Sequence, residues 1–162
     1  MDNKLIDYLE KHKIKFREHK HKAVFTVEES KDLKKDIPGL HTKSLFLKDE
    51  NTHFYLVCMP AQSRLNIKSL RKVLGTDKLH FSSPQELKAE LNITPGSVSI
   101  FCSIYANPER VTLIIDKKVH EAEISCFHPN INTSTLEITK ENLEKFVKSL
   151  KIEKKILDLE TE

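Results

Sequence analysis

Three short polar segments of the sequence lie where apolar, strand-like runs meet loops. Thr42-Lys43-Ser44 enters one such run, Pro95-Gly96-Ser97 precedes another, and Phe127-His128-Pro129 follows a third. A lysine ammonium can anchor an anion, a glycine lets a ligand approach backbone N–H groups, and an imidazole can move a proton near neutral pH. Because functional residues concentrate on loops held by a rigid scaffold, we expect these three segments to converge on one pocket.

The motifs of several other chemistries are missing from the sequence. It contains no phosphate-binding loop, no dinucleotide-binding glycine pattern and no nucleophile elbow, and it has only three glycines. Its eight histidines show no metal-ligand spacing, and its three cysteines form no C-x-x-C pair. We therefore expect no metal, no cofactor and no disulfide, and we interpret Cys58, Cys102 and Cys126 as small core residues.

The composition is typical of one soluble domain. With 162 residues, 38% of them hydrophobic and 31% charged, the chain can bury one core but is too short for two full-size domains. Its formal charge of +3 is weak support for a polyanionic partner. No apolar run approaches the roughly 18 to 20 residues of a membrane span, and the charged N-terminal segment lacks the apolar core of a secretory signal. These patterns predict a cytoplasmic protein that does not enter a membrane.

The N-terminal quarter alternates helical and extended patterns. Apolar residues at helical spacing predict a helix over 3–13, and the alternation that follows predicts a strand at 14–17. The T-x-x-E pattern at 26–29 is typical of a capping box and predicts a short helix. A loop is expected at 40–42.

The middle of the chain contains the clearest strand signals. Two compact apolar runs at 43–48 and 54–59 flank a polar turn and predict a hairpin of two buried strands. Ile67, Leu70 and Leu74 indicate a helix that ends at Gly75, because glycine adopts the left-handed conformation that closes a helix.

The second half combines helices with further strands. A short strand is expected at 79–81, and Ser83-Pro84-Gln85-Glu86 predicts a capped helix that continues to Leu91. The region from 98 to 135 is rich in β-branched and aromatic residues, which favours several strands. A last helix is expected to begin near Thr139.

These elements predict a single α/β domain over residues 1–157. Its core is expected to be a mixed, mostly antiparallel sheet or a barrel-like sheet surrounded by helices. The charged end at 158–162 is expected to fray.

Five strings of the sequence resemble, in the same order, the prolyl-tRNA synthetase-associated editing domains of the YbaK type. The strings are His21–Glu29, His41–Asp49, Phe81–Pro84, Pro95–Ser99 and His128–Thr133. Within that family the sequence is most similar to the free-standing branch that deacylates alanyl-tRNA(Pro). The resemblance covers about residues 3 to 150.

The resemblance implies hydrolysis of the ester that joins a wrong amino acid, above all alanine, to the 3′ end of proline-specific tRNA. It implies mischarged tRNA as the partner, with prolyl-tRNA synthetase as a further candidate, and no cofactor. We expect the protein to act as a monomer.

The resemblance also assigns roles to the three polar segments. Lys43 would belong to the aminoacyl-adenosine site, where its ammonium reaches water or a terminal phosphate of the tRNA. Gly96 would present backbone N–H groups to the substrate carbonyl or the attacking water. His128 is either a general base or, in our preferred interpretation, a residue that orients its loop while backbone groups, water and the 2′-hydroxyl of the tRNA do the chemistry.

The remaining candidate binding residues surround these three. Lys48 lies on the opposite face from Lys43 if the strand is regular, and would support the site or contact the acceptor stem. Phe46, Ile100 and Phe101 are candidate walls of a pocket that selects by size, although core packing is the ordinary role of Phe46. The rest of the candidate set is Thr42, Ser44, Ser97, Pro129, Asn132 and Thr133.

Three positions depart from the family pattern. Ile100 stands where G-x-x-x-P has proline, Ser44 where asparagine is common, and Tyr105-Ala106 where Asn-Asp is common. These changes put the accepted amino acid in doubt more than the hydrolysis itself. Two alternatives remain open: a non-catalytic tRNA-binding or regulatory module, and the appended editing domain of a prolyl-tRNA synthetase.

Overall fold

Two long strands form the hairpin that the apolar runs predict. The computed structural model describes residues 1–23, 31 and 36–162. In it, β2 (Leu40–Asp49) pairs antiparallel with β3 (Phe54–Pro60), in unbroken one-to-one register from Thr42 opposite Pro60 to Lys48 opposite Phe54. Every residue of β3 is buried. The hairpin is therefore the centre of the sheet, as its continuous hydrophobicity predicts.

The other strands extend the sheet on both sides of this hairpin. Seven strands lie in the order β1-β7-β6-β2-β3-β5-β8, and β4 adds to the free side of β2. The pairs β2–β6, β3–β5 and β5–β8 are parallel, whereas the other four pairs are antiparallel. The mixed, mostly antiparallel sheet is thus confirmed. The bounds are β1 Arg17–Lys20, β4 Leu79–Phe81, β5 Val111–Asp116, β6 Ile124–Phe127, β7 Ser134–Thr139 and β8 Glu153–Leu157.

The helices begin at the capping residues that the sequence indicates. Asn66 accepts the Ser69 N–H at the start of α2, Gly75 closes α2 at φ 72°, and Ser83 forms a full capping box with Glu86 at the start of α3. The helix bounds are α1 Asn3–Lys11, α2 Ile67–Leu74, α3 Pro84–Leu91, α4 Lys117–Glu121 and α5 Lys140–Ser149, with a 3₁₀ helix at Ile100–Tyr105.

The hairpin carries a different hydrophobic cluster on each face. Phe46, Leu56 and Cys58 point into the main core, which α1, α3 and α5 cover. Leu47 and Val57 point to the other face, where a smaller cluster includes Leu70 of α2. Successive residues of β2 therefore belong to opposite sides of the sheet.

Some predicted boundaries shift in the structure. Ile14 is buried under a turn at Lys13 (φ 57°), so the strand predicted at 14–17 begins only at Arg17. The loop predicted at 40–42 is wrong, because Leu40 and His41 pair with β6. Part of the β-like region 98–135 forms the 3₁₀ helix, which Ser99 caps. The helix predicted from the 26–29 capping box lies outside the described residues.

The C-terminal residues are ordered by contacts with the segment before α2. Leu159 is buried in the smaller cluster, Thr161 pairs with Leu65, and the Glu162 N–H donates to the Arg64 carbonyl. The expectation of a frayed end at 158–162 does not hold, since backbone pairing and one buried leucine fix it.

The buried leucine gives a test of this C-terminal anchor. Leu159→Ala is expected to lower the free energy of unfolding by about 2–4 kcal/mol, since it leaves a cavity in the smaller cluster. Asp158→Ala, at the exposed neighbouring position, should change it by less than about 0.5 kcal/mol. Urea denaturation of both variants measures the difference, and equal values would show that the end of the chain is not held.

Candidate active site

The start of β2 meets the end of β6, and this junction brings two of the three polar segments together. Leu40 and His41 pair in parallel with Ser125 and Cys126. The Thr42 hydroxyl then donates to the Cys126 carbonyl at 2.8 Å. Thr42 is thereby held next to the loop that carries His128.

A buried hydrogen-bond network joins the third segment to the same loop. The Ser99 hydroxyl donates to Asn130 Oδ1 at 2.7 Å, and it accepts the Phe101 N–H at 3.0 Å. The Cys102 thiol donates to the same amide oxygen at 3.1 Å. The loop before the 3₁₀ helix and the loop after β6 are therefore fixed to each other.

Asn130 is the central residue of this network. It has a left-handed backbone (φ 63°), which asparagine tolerates better than most residues, and only 5% of its surface is exposed. Its Nδ2 group finds no acceptor among the described residues. The atom is itself buried, and a buried donor without a partner is costly, so the network contains one unmet hydrogen bond.

Gly96 lies at an open turn beside this network. Its φ is 91°, a left-handed value that favours glycine, and a Cβ built there would meet no heavy atom of the described chain within 4 Å. The residue is exposed, and the Ser97 N–H closes the turn onto the Thr94 carbonyl. The backbone at Gly96 is thus accessible to a ligand, as its predicted role requires.

His128 is half-buried at the end of β6, with Nδ1 3.5 Å from the Ser134 carbonyl. Burial lowers its pKa, and His21 and His41 lower it further through their charge, against the opposing effect of the Ser134 carbonyl. The imidazole is therefore neutral at neutral pH. It can accept a proton, but its lowered pKa makes it a weak base, which agrees with an orienting role.

The loop after His128 also contacts the chain at the end of β1. Pro129 is buried, Asn132 is half-buried and Thr133 is exposed. The Thr133 carbonyl accepts the His21 N–H at 3.0 Å, and the His21 ring contacts the Thr135 hydroxyl at 2.9 Å. β1 therefore braces this loop.

The two strand lysines lie on opposite faces of β2, as regular alternation predicts. Lys43 lines a groove with Arg64 and Lys68 on the α2 side, whereas Thr42 and Ser44 belong to the main-core side. Lys48 forms an ion pair with Glu86 of the α3 capping box, which lowers the pKa of that carboxyl. The structure thus groups Lys43 with other cations and places Lys48 against α3.

The three predicted pocket walls are core residues. Ile100 and Phe101 have no exposed surface, and Phe46 stacks on Phe54 with ring centroids 5.0 Å apart. Phe101 packs edge-on against Phe127 and Phe146. These side chains can shape the site only by fixing the backbone around it.

All three cysteines are buried and free, as predicted. Burial raises the pKa of Cys58 and Cys126 to about 12 and that of Cys102 to about 11. The thiols are therefore protonated and do not serve as nucleophiles at neutral pH. Within the described ranges, no group of three His, Cys, Asp or Glu side chains is arranged to hold a metal ion.

The positions that depart from the family pattern have structural partners here. The Ser44 hydroxyl lies against the Cys58 thiol, and Ile100 opens the 3₁₀ helix. The Tyr105 ring lies 4.3 Å from Lys4 Nζ, and burial together with a hydrogen bond to Asp2 raises its pKa to about 12. Tyr105 therefore packs against the N-terminal helix.

Sequence reasoning missed Ser99 and Asn130 as site residues. Both stand inside strings that carry the family resemblance, but their pairing joins positions 31 residues apart. The one local signal was an S-x-x-C pattern before an apolar run, which resembles a helix cap.

The α/β fold of this chain is shared with solved structures. A solved structure described as a proposed trans-editing enzyme for prolyl tRNA synthetase superposes with a TM-score of 0.75 at 16% identity, over 99% of this chain and 98% of that chain. A likeness at that identity shows the fold.

The family follows from the sequence comparisons. The model of the aminoacyl-tRNA editing domain matches residues 21–146, and the chain belongs to this family. The resemblance found in the sequence is thereby confirmed, and with it the enzyme class, an aminoacyl-tRNA hydrolase.

Two curated relatives agree with this assignment. The chain is 32% identical over 146 residues to the "Prolyl-tRNA editing protein ProX" of Acetoanaerobium sticklandii, covering 90% of this chain and 89% of the relative. It is 31% identical over 130 residues to the "Prolyl-tRNA synthetase associated domain-containing protein 1" of Danio rerio, covering 78% and 70%.

None of the helices in the described residues is long and apolar enough to cross a membrane.

The link between the loops predicts a stability change. Ser99→Ala removes a buried donor and acceptor, and we expect it to lower the free energy of unfolding by about 1–3 kcal/mol. Ser97→Ala makes the same substitution two residues earlier and should cost less than about 0.5 kcal/mol. Thermal or urea unfolding compares the two, and a Ser99 variant as stable as the Ser97 variant would contradict the link.

The lowered pKa of His128 predicts a pH dependence. Because the unfolded chain binds this proton more readily, stability should fall as pH drops below about 6.5, the ordinary histidine value, until the folded-state pKa is passed. His128→Gln cannot bind the proton, so its free energy of unfolding should fall less between pH 7 and pH 5. Identical pH profiles for the two proteins would show that His128 is not perturbed.

Proposed function

We propose that this protein hydrolyses the ester bond of alanyl-tRNA(Pro). The observation that carries the proposal is the junction of Thr42, the Ser99–Asn130 link and His128, formed by three of the strings typical of a family that edits aminoacyl-tRNA. The relative from Acetoanaerobium sticklandii is named as a prolyl-tRNA editing protein, which favours tRNA(Pro).

The groups at the junction suit attack by water on an ester. Water adds to the carbonyl carbon, the carbonyl oxygen becomes an oxyanion, and the ribose oxygen leaves with a proton. Backbone N–H groups near the exposed Gly96 are neutral donors that can stabilise the oxyanion. All three cysteines are buried, so the proposed route uses no thioester intermediate. The 2′-hydroxyl of the tRNA, which neighbours the ester on the terminal ribose, would then relay the proton.

Selection for alanine follows from size. A synthetase that must accept proline cannot reject the smaller alanine well, since each methylene is worth only roughly 1 to 3 kcal/mol of discrimination. A second, tighter hydrolytic site can reject proline by overlap. Ile100 and Phe101, which are fully buried and follow Gly96 by four and five residues, would resist the expansion that a proline ring needs.

Lys43 fits this reaction as an anchor for phosphate. It lines the same groove as Arg64 and Lys68. It lies on β2, between Thr42 and Ser44. A cation in that position would bind the tRNA end and leave the chemistry to the neutral groups of the junction.

An aminoacyl-tRNA panel tests the proposed activity. tRNA(Pro) charged with alanine, serine or proline is incubated with the protein, and release of the free amino acid is compared with spontaneous hydrolysis. We expect alanine to be released fastest and proline no faster than without protein. Binding of the tRNA with no accelerated release would instead establish a non-catalytic tRNA-binding module.

Replacement of Lys43 tests its role in the same assay. Lys43→Ala should lose most activity, about tenfold or more in kcat/KM, mainly through a higher KM, because a phosphate anchor acts on binding. Lys118→Ala, an exposed lysine on α4, is the control and should retain activity. Full activity of Lys43→Ala would remove this residue from the mechanism, and a loss confined to kcat would assign it to the chemical step.

A further inference from the structure

Two adjoining grooves run beside α2, away from the junction of loops. One, of about 230 Å³, is lined by Lys43, Arg64 and Phe81 among others, and the second, of about 520 Å³, by Arg71 and Lys78 among others. Ile67 and Lys68 line both grooves, so the two lie next to each other. We call the two together the α2 groove.

The α2 groove has a local surplus of positive charge. Five Lys or Arg side chains line it, against the two carboxylates of Asp77 and Glu162. This surplus equals the formal charge of the whole chain, +3, so the rest of the chain is neutral in sum. The weak overall charge therefore hides a local basic surface that suits a polyanion.

An exposed aromatic ring stands in this basic surface. Phe81, on the short strand β4, has 57% of its surface exposed, whereas Phe46, Phe54, Phe101 and Phe127 are buried. It lines the groove together with Lys43 and Leu45. Cations that track a phosphate backbone, beside a ring on which a base can stack, are the combination that binds single-stranded nucleic acid.

The groove and the candidate active site both contain residues of strand β2. Lys43 faces the groove, while its neighbours Thr42 and Ser44 face the other side of β2, at the end of the strand where the loops meet. The groove and the junction therefore share the first part of β2 but lie on opposite faces of that strand.

We propose that the α2 groove binds the single-stranded 3′ end of the tRNA, with Phe81 stacked on a base and the cations of the groove on the flanking phosphates. This inference rests on the proposed function, because the site it serves is the ester-hydrolysing junction. It assigns nucleic-acid contacts to residues that the family strings did not single out for binding: Arg64, Lys68, Arg71, Lys78 and Phe81.

A charge reversal at matched positions tests the proposal. Lys68 and Lys118 are both exposed and both occupy the second position of a helix, where a glutamate is tolerated by the helix dipole. Binding of uncharged tRNA(Pro) and of a short RNA ending in CCA is measured over a salt series. Lys68→Glu should weaken both about fivefold or more and reduce the salt slope by about one, whereas Lys118→Glu should stay within about twofold.

Phe81→Ala tests the stacking contact separately from charge. It should weaken binding of the short RNA by about fivefold to a hundredfold without changing the salt slope, while Phe81→Tyr should retain binding. Phe81 is exposed, so unfolding midpoints close to wild type are expected and are measured alongside.

The outcomes separate this inference from the proposed function. Deacylation by the wild type, with equal tRNA binding by Lys68→Glu and Lys118→Glu, would overturn the proposed role of the groove and leave the proposed activity intact. Absence of deacylation, with the expected binding losses, would support the groove and refute the activity. If polyglutamate displaced the RNA as well as unlabelled RNA does, the groove would be a general anion-binding surface, and this result would also overturn the proposal.

Discussion

Strand β2 is the constraint on which both candidate surfaces depend. Its first two residues pair with β6, and the rest pair with β3 and β4. Because side chains alternate along a strand, this shared strand presents the Thr42 and Ser44 hydroxyls on one face and the Lys43 ammonium on the other. A shift of register by one residue would exchange the two faces, and the buried Phe46 and Leu47 prevent it.

The division of charge between these surfaces agrees with the chemistry of an aminoacyl-tRNA. The ester itself is neutral and develops charge only during attack, so neutral donors such as backbone N–H groups are suited to it. The nucleic acid is a permanent polyanion and requires cations. The neutral hydroxyls and the lysine ammonium lie on opposite sides of one strand. The buried network that holds the loops therefore avoids the free-energy cost of burying a charged lysine.

The sequence predicts the elements that depend on local signals and misses those that depend on distant partners. The hairpin, α2 with its closing Gly75 and the capping box of α3 all follow from short-range patterns, and the structure confirms them. The segment Ile100–Tyr105 has the composition of a strand, yet Ser99 and a fully buried Phe101 hold it as a 3₁₀ helix. Tertiary packing overrides β propensity there.

The same distinction applies to the site. Thr42, Gly96 and His128 could be selected because polar residues at strand ends are recognisable in a sequence. The partnership of Ser99 with Asn130 could not, since it is created by the meeting of two loops. The position of Lys43 relative to α2 also needed coordinates, because alternation fixes the face of a strand but not which helix covers it.

The buried thiols have a practical consequence for the study of this molecule. Cys58 lies on the central strand β3, Cys102 in the loop network and Cys126 at the junction with β2. An alkylating reagent can modify each of them only when its own region opens, so the three modification rates report on three separate parts of the fold. The three native cysteines can therefore serve as probes of local opening without an engineered label.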